Sequence, residues 1–528
     1  MLTYNNKVGV VMQNKSEGSL ILPLLAEIVN REDEVKEFNQ VLEDIGRKQP
    51  IKTNLFEYYG GPGIGKTQLS RLLQRTCDEQ DVPWISMNFA MVDTVGYLND
   101  PTRLVQDMVA DFSRKTAVDN TALAKAIARY REAKPPQAPV HTYYLVMSPE
   151  ERLYEAASWV EDLRQVVIEF ITLARNLIEG DDRPLVFFFD ETERLDSELG
   201  QWIEEWIISP VAQIKQCVVI WTARAPWRWR LPEIRERVQS KQLNVFKPED
   251  VKEQWDRRQA NLPQTAPDLA ENFFQHVYKL THGHPYANAV AIEKFNTWHG
   301  TEQSLTPHQW PIQEIGFLQN IFQLFIHQYA FKELDADLKL ACELTALVRW
   351  FDRSMLKVLL LAADSKQYET WKENEFSFLL RRLRQTQLLV WDKGDALDPN
   401  LRHLIRQYFF HLEKEVYITV NRAALKYHQD WLEKGVANRN LYVLEELYHM
   451  AALLQVGQHI KLEEKFQERL GQYEHWFPNA EVRRPVLDRL KGELENDSEL
   501  KTLLGDDRSL IKRVEGILDS ISEEHLCC

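Results

Sequence analysis

Eight consecutive residues carry the clearest chemistry in this 528-residue chain: Gly60, Gly61, Pro62, Gly63, Ile64, Gly65, Lys66 and Thr67. They form a GxxxxGK[ST] pattern between an apolar run and a helical one. Glycines let the backbone curl so that its N–H groups face phosphate oxygens, and the start of the helix adds positive potential. Lys66 then reaches the β- and γ-phosphates, the Thr67 hydroxyl ligates magnesium, and Gln68 completes the nucleotide-binding set. A second acidic pair, Asp190 and Glu191, ends the run PLVFFF. A carboxylate there emerges at the rim of a parallel sheet, where ligands bind. Asp190 is expected to hold magnesium through its water shell, and Glu191 to polarise the attacking water. Glu193 reads as a solvated helix-start residue. A third run, Cys217 to Trp221, leads into Thr222, Ala223 and Arg224. A guanidinium at that strand end suits a reader of the γ-phosphate, because its planar donors match phosphate oxygens. Lys66, Glu191 and Arg224 are therefore the catalytic candidates. Arg228, Arg230, Arg235 and Arg237 follow closely, and the sequence selects none of them for a role across a subunit interface.

The elements that must position these residues read as a βαβ series. A strand at Asn54 to Tyr59 enters the glycine-rich loop, a helix runs through LSRLLQRTC, and VPWISMNFA supplies a second strand. Leu185 to Phe189 and Cys217 to Trp221 are continuously apolar, the pattern of strands buried on both faces. A further short strand is expected at Leu243 to Phe246. Residues 100 to 182 read as a helical insertion. Beyond residue 250 the texture is helical, with one interruption: LLVWDKGDALDPNLRHLIRQYF reads as strand, turn, short strand and helix. From 416 the periodicity is helical, with hairpins that suggest a TPR-like array but no constant period of about 34 residues.

A chain of this length exceeds one ordinary domain. With 44% hydrophobic and 27% charged residues it is globular, and global disorder is excluded. The net charge of -15 argues against wholesale coating of nucleic acid while leaving a local basic face open. No run approaches the about 20 apolar residues of a membrane span, and a cytoplasmic location is expected. Five cysteines make no disulfide or metal framework. Cys527 and Cys528 form a terminal pair whose lipidation would give peripheral membrane association. His282 and His284 lack a third ligand at suitable spacing and are not read as a metal pair.

The order of these elements resembles the STAND nucleotide switches, the AAA+-related group that includes NACHT, NB-ARC and MalT-like proteins. Asn30-Arg31-Glu32 resembles the pre-sheet motif that helps to enclose the base, with Asn30 where glycine is commoner. Thr281-His282-Gly283-His284-Pro285 resembles the GxP motif of the helical lid, which places Pro285 near adenine. His403, in NLRHLIRQYF, falls where relatives carry a histidine that touches the β-phosphate of ADP. The resemblance implies an α/β P-loop NTPase fold with an AAA+/STAND-like parallel sheet, followed by a helical lid, a winged helix and an all-α C-terminal region. The corresponding boundaries are a leader over 1–28, the NTPase domain over 29–249, the lid over 250–325, the winged helix over 326–415 and the helical tail over 416–528. It also implies ATP/ADP and Mg2+ as ligands, slow regulatory hydrolysis, a nucleotide-dependent homo-oligomer, a protein effector or sensor partner, and a role in prokaryotic signalling or antiviral defence. Two alternatives stand beside it: an origin-recognition-like AAA+ ATPase that binds DNA, with RRLRQTQLL from Arg381 as its reading segment, and a nucleotide-stabilised interaction scaffold. The Trp227 to Arg230 segment or the helical tail would contact a partner.

Overall fold

The computed structural model describes residues 29–113, 119–134, 158–179, 183–259, 267–299, 310–504 and 508–524. The leader over 1–28, part of the helical insertion, and Cys527 and Cys528 lie outside them. The chain forms two units, divided between Pro307 and His308.

In the first unit five parallel strands form one sheet: β1 (Leu55–Tyr59), β2 (Trp84–Asn88), β3 (Leu185–Asp190), β4 (Cys217–Ala223) and β5 (Val238–Gln242). Their order is β2-β3-β4-β1-β5. Every residue of β3 and β4 is buried, because helices cover both faces of the sheet. The pleat sends successive side chains to opposite layers. Phe56, Val186, Phe188, Val218 and Ile220 pack with Leu69 and Leu73 of the helix Lys66–Glu79 and with Phe38 and Leu42 of the helix Glu32–Gly46. Leu185, Phe187, Phe189, Val219 and Trp221 pack on the other side with Leu163, Val166 and Phe170 of the helix Ser158–Glu179. This is the α/β P-loop fold class expected from the sequence.

One strand departs from expectation. Leu243 to Phe246 is not a strand; the fifth strand is the preceding VQSKQ. As the edge neighbour of β1 it needs no continuous apolar run, which is why its polar sequence hides it. Leu243 and Phe246 are buried in a connecting segment. There the Leu243 N–H donates to Tyr59 O at 2.8 Å and the Phe246 N–H to Gly283 O at 2.9 Å. The unit closes with the helices Pro248–Gln259, Pro267–Thr281 and Pro285–His299, joined by an aromatic knot in which the Trp255 ring centroid lies 4.7 Å from Phe273 and 4.9 Å from Phe295.

The second unit is almost entirely helical. Trp310–Asn320 and its π-helical continuation Ile321–Ala330 fold here, although the sequence expectation extends the lid to 325, with Phe322 stacked on Tyr408 at 3.7 Å. Helices Ala336–Thr345, Arg353–Ala363 and Glu373–Gln385 precede an antiparallel hairpin of β6 (Leu389–Trp391) and β7 (Asp395–Leu397), and the helix Pro399–Leu412 follows it. Six further helices, from Lys414–Glu433 to Ser509–Glu524, complete the chain. No helix among the described residues is long and apolar enough to cross a membrane. Cys77, Cys217 and Cys342 are buried and not in disulfides.

Candidate nucleotide site

The glycine-rich loop leaves the end of β1 and enters the helix Lys66–Glu79. Gly63 and Gly65 adopt positive φ angles of 72° and 101°, conformations that favour glycine. Lys66 is buried, and its Nζ donates to Gly60 O at 2.7 Å and Gly61 O at 3.1 Å. Burial lowers its pKa, while Glu193, Asp190 and Glu191 oppose that by stabilising the ammonium. The lysine is thus held over the loop carbonyls, among carboxylates from the end of β3.

The loop is braced from two directions. Arg31, buried, donates from Nη2 to Ile64 O at 2.9 Å and from Nη1 to Asn30 O at 2.6 Å, and its guanidinium faces the Phe246 ring. Asn30 has a φ of 55° and donates to Asp250 Oδ2 at 2.6 Å. Asparagine is the side chain that best tolerates the left-handed region after glycine, so Asn30 supplies the backbone shape for which glycine is commoner. From the other side, His284 Nε2 lies 3.0 Å from Pro62 O, while His284 Nδ1 accepts from the Ala287 N–H at 3.3 Å. That pair of partners puts the proton on Nε2. Burial holds this imidazole down at about 4. Pro285 opens the next helix, and its carbonyl accepts from Gln254 Nε2 at 3.1 Å. Gly283 has a φ of 76°, and a Cβ there would meet Phe246 O at 1.9 Å, so only glycine fits.

At the end of β3, Asp190 is buried and its pKa is raised by that burial. Hydrogen bonds from Thr222 and Thr67 work in the opposite direction, and Asn88 Nδ2 donates to it at 3.2 Å. Thr67 hydroxyl and Asp190 carboxylate are hard oxygen donors brought side by side, a set that suits magnesium. Glu191 adopts a left-handed backbone (φ 56°, ψ 42°), and Arg194 Nε donates to its Oε2 at 3.1 Å. Strain of that kind in a residue other than glycine needs support from its surroundings. Thr222 Oγ1 supplies some, accepting from the Glu191 N–H at 3.3 Å.

Glu193 is not a solvated helix-start residue. Its side chain is 7% exposed and accepts from Arg224 Nε at 3.0 Å. The turn after β3 folds it inward against the end of β4, which local sequence could not reveal. Thr222 and His284 were likewise unassigned by sequence. The run WTAR contains the first, and the HGHP turn the second, but only the fold shows their partners. Trp227 and Trp229, in one of the segments expected to contact a partner, pack on Trp221 at 5.6 Å and 5.3 Å. The buried carboxylates Glu57 and Glu204 hold their loop by accepting from the backbone N–H groups of Trp227, Arg230 and Leu231. Arg228 and Arg230 stay exposed. His403 is half-buried on the helix Pro399–Leu412 of the second unit.

The sheet and its loop define an α/β P-loop protein. No protein-family profile and no curated protein matches the chain. Among solved structures it is similar to a STAND protein with a tetratricopeptide repeat sensor from Pyrococcus horikoshii, at 14% identity and a TM-score of 0.26 over 94% of this chain. The chain spans 58% of that protein's length. It is also similar to Orc1 of Aeropyrum pernix, solved with DNA, at 12% identity and a TM-score of 0.36, covering 72% of this chain and 93% of that one. A third is the RuvB Holliday junction branch migration motor of Thermotoga maritima, at 12% identity and a TM-score of 0.33, covering 74% and 99%. With superpositions this loose, the residues described above carry the functional reading.

Proposed function

We propose that the chain is an ATP-binding, slowly hydrolysing switch of the STAND type, in which nucleotide state controls conformation, self-association and a protein partner. The observation that carries this reading is the convergence of Asp190, Glu191, Glu193 and Arg224 on the charge of Lys66 at the mouth of the loop. A polyphosphate placed on the loop N–H groups offers Lys66 a stronger acceptor than two neutral carbonyls. Arg224 stabilises charge on the transferred phosphoryl group, and Glu191 orients water. Magnesium, when held by Thr67 and Asp190, neutralises phosphate charge. Slow turnover follows from the engaged state of the two key side chains: Arg194 occupies Glu191 and Glu193 occupies Arg224, so each must exchange partners before it can act.

Residues 326–415, which contain the β6–β7 hairpin, are read as a winged helix. Its Arg382 pairs with Asp335 and its Arg384 with Asp395, while Glu373 and Glu375 share the same helix. Those pairings favour a structural role over DNA reading. Nucleotide binding and turnover by the full chain, compared with Lys66→Ala and Glu191→Gln, test the proposal. Loss of binding in the first and retained binding with lost turnover in the second are expected. Unchanged turnover in Lys66→Ala would refute the phosphate site. Light scattering in ADP and in a non-hydrolysable ATP analogue tests nucleotide-dependent assembly, whose absence removes that part of the reading.

A further inference from the structure

Helices Lys414–Glu433 and Arg439–Gln455 enclose three side chains that the nucleotide chemistry does not use. His428 stands on the first helix. Glu445 and His449 stand one turn apart on the second, hence on one face of it. All three are at most 1% exposed. One nitrogen of each imidazole and one carboxylate oxygen lie within 4.8 Å of one another.

Two of the nitrogens are chemically idle. His428 Nδ1 and His449 Nε2 are buried and make no hydrogen bond. Asn421 Nδ2 donates to Tyr417 O at 2.8 Å, which fixes the amide so that its Oδ1 faces His449 Nδ1, also at 2.8 Å. The proton of His449 is therefore on Nδ1, and Nε2 presents a lone pair. Leaving such an acceptor buried without a partner costs free energy that packing alone does not return.

The surrounding charges narrow the ligand. Arg349 donates to Glu445 Oε2 from Nε at 3.0 Å, stands 2.9 Å from Oε1 through Nη2, and also pairs with Asp497, while Arg402 and Arg406 share Glu499. Three guanidinium groups thus meet three carboxylates, and a divalent ion would add its charge to a neutral cluster. Calcium and magnesium need several oxygen ligands. Ions that bond strongly to neutral imidazole need only the nitrogens and one carboxylate.

We propose that His428, His449 and Glu445 bind a zinc-class transition-metal ion that pins these two helices together. Ligand atoms around a tetrahedral ion with bonds of about 2 Å stand roughly 3.3 Å apart, so binding draws the three side chains inward by about an ångström. To take the ion, Glu445 Oε1 gives up its contact with Arg349 Nη2 while Oε2 keeps Nε, and Asp497 continues to hold the guanidinium. Asn421 orients His449 from behind, as an outer partner of a ligating imidazole does.

The test uses the full-length protein, stripped with a chelator and titrated with Co2+ and then Zn2+ at pH 7.5. One equivalent of cobalt with the visible absorption of a low-coordinate nitrogen and oxygen site is expected, displaced by zinc, together with a higher unfolding temperature. His428→Asn and His449→Asn each lose the band, and Asn421→Ala weakens binding about 10- to 100-fold. A Cys527→Ser, Cys528→Ser double variant keeps it. Failure of the stripped wild-type chain to take up one equivalent overturns the proposal whether or not the histidine variants fold. A band that survives in both histidine variants, or disappears with the cysteines, also overturns it.

Discussion

His284 makes the stability of the nucleotide unit depend on pH. Its Nε2 donates to Pro62 O and its Nδ1 accepts from the Ala287 N–H, so only the neutral ring satisfies both partners. Protonation would place an N–H against the Ala287 N–H inside a buried site near the Lys66 charge. Burial accordingly lowers the folded pKa from 6.5 to about 4. Between those values the unfolded chain binds a proton that the folded chain refuses. Stability is therefore full above about pH 6.5 and is lost as pH falls toward 4. One-site linkage gives a loss of about 2 kcal/mol between pH 7.5 and 5.0, and about 3 kcal/mol once both forms are protonated.

Two buried histidines of the second unit, His428 and His449, are also lowered by burial, so a whole-chain midpoint would mix their effect with that of His284. Hydrogen exchange of peptides within residues 246–290, converted to local opening free energies at pH 7.5 and 5.0, isolates the site. A His284→Gln variant should be less stable at pH 7.5, through lost packing, yet lack the additional 2 kcal/mol loss on acidification. Identical pH dependence in the variant and the wild-type chain would refute the assignment of the proton to this ring.

Arg224→Ala leaves the Glu193 carboxylate buried without its guanidinium; a fall of about 1–3 kcal/mol is expected, with recovery in an Arg224→Met, Glu193→Gln double variant, measured by urea unfolding. The same single variant should reduce ATP turnover by about 100-fold or more with a smaller effect on nucleotide affinity, and an unchanged rate constant would remove Arg224 from the chemistry. Gly283→Ala forces a left-handed backbone and a contact of 1.9 Å with Phe246 O, so a cost of at least about 2 kcal/mol should appear as a lower melting temperature. Asn30→Gly should be nearly neutral in backbone terms, whereas Asn30→Val should cost about 1–2 kcal/mol; equal melting temperatures for the two would show that the positive φ is unimportant.

What the sequence reveals here depends on how locally each feature is encoded. The phosphate loop is written in eight adjacent residues whose types fix the backbone, and β3 and β4 are written in apolar runs that burial on two faces demands. The edge strand Val238–Gln242 is hidden in the sequence because two of its five side chains are exposed and none is fully buried, whereas the apolar residues just after it carry the stronger strand signal. Glu193 was misread because its burial comes from Arg224, 31 residues away. His428 and His449 carry no motif spacing, and only the pairing of their helices brings the two rings together. The tryptophans of the WRWR run gave no sign that Glu57, far upstream in β1, holds their loop.

Under the proposed function, the partners of the nucleotide site give a physical reason for slow turnover. Lys66 is bound to its own loop, Glu191 to Arg194 and Arg224 to Glu193. These contacts share one pattern: each charged group that the proposed chemistry would use is already partnered within the same unit. Bound phosphate competes directly for Lys66, whose present acceptors are neutral carbonyls and therefore weaker. Arg224 is different, because releasing it leaves Glu193 buried and charged unless something else approaches. The Lys66 ammonium is a candidate substitute, since Glu193 already favours its charged form. On this reading phosphate binding and release of Arg224 are coupled through Glu193. Glu193→Gln should therefore free the arginine, raise turnover, and weaken the distinction between the ADP and ATP states. Slower turnover in Glu193→Gln than in the wild-type chain would show instead that the pair is needed to position Arg224.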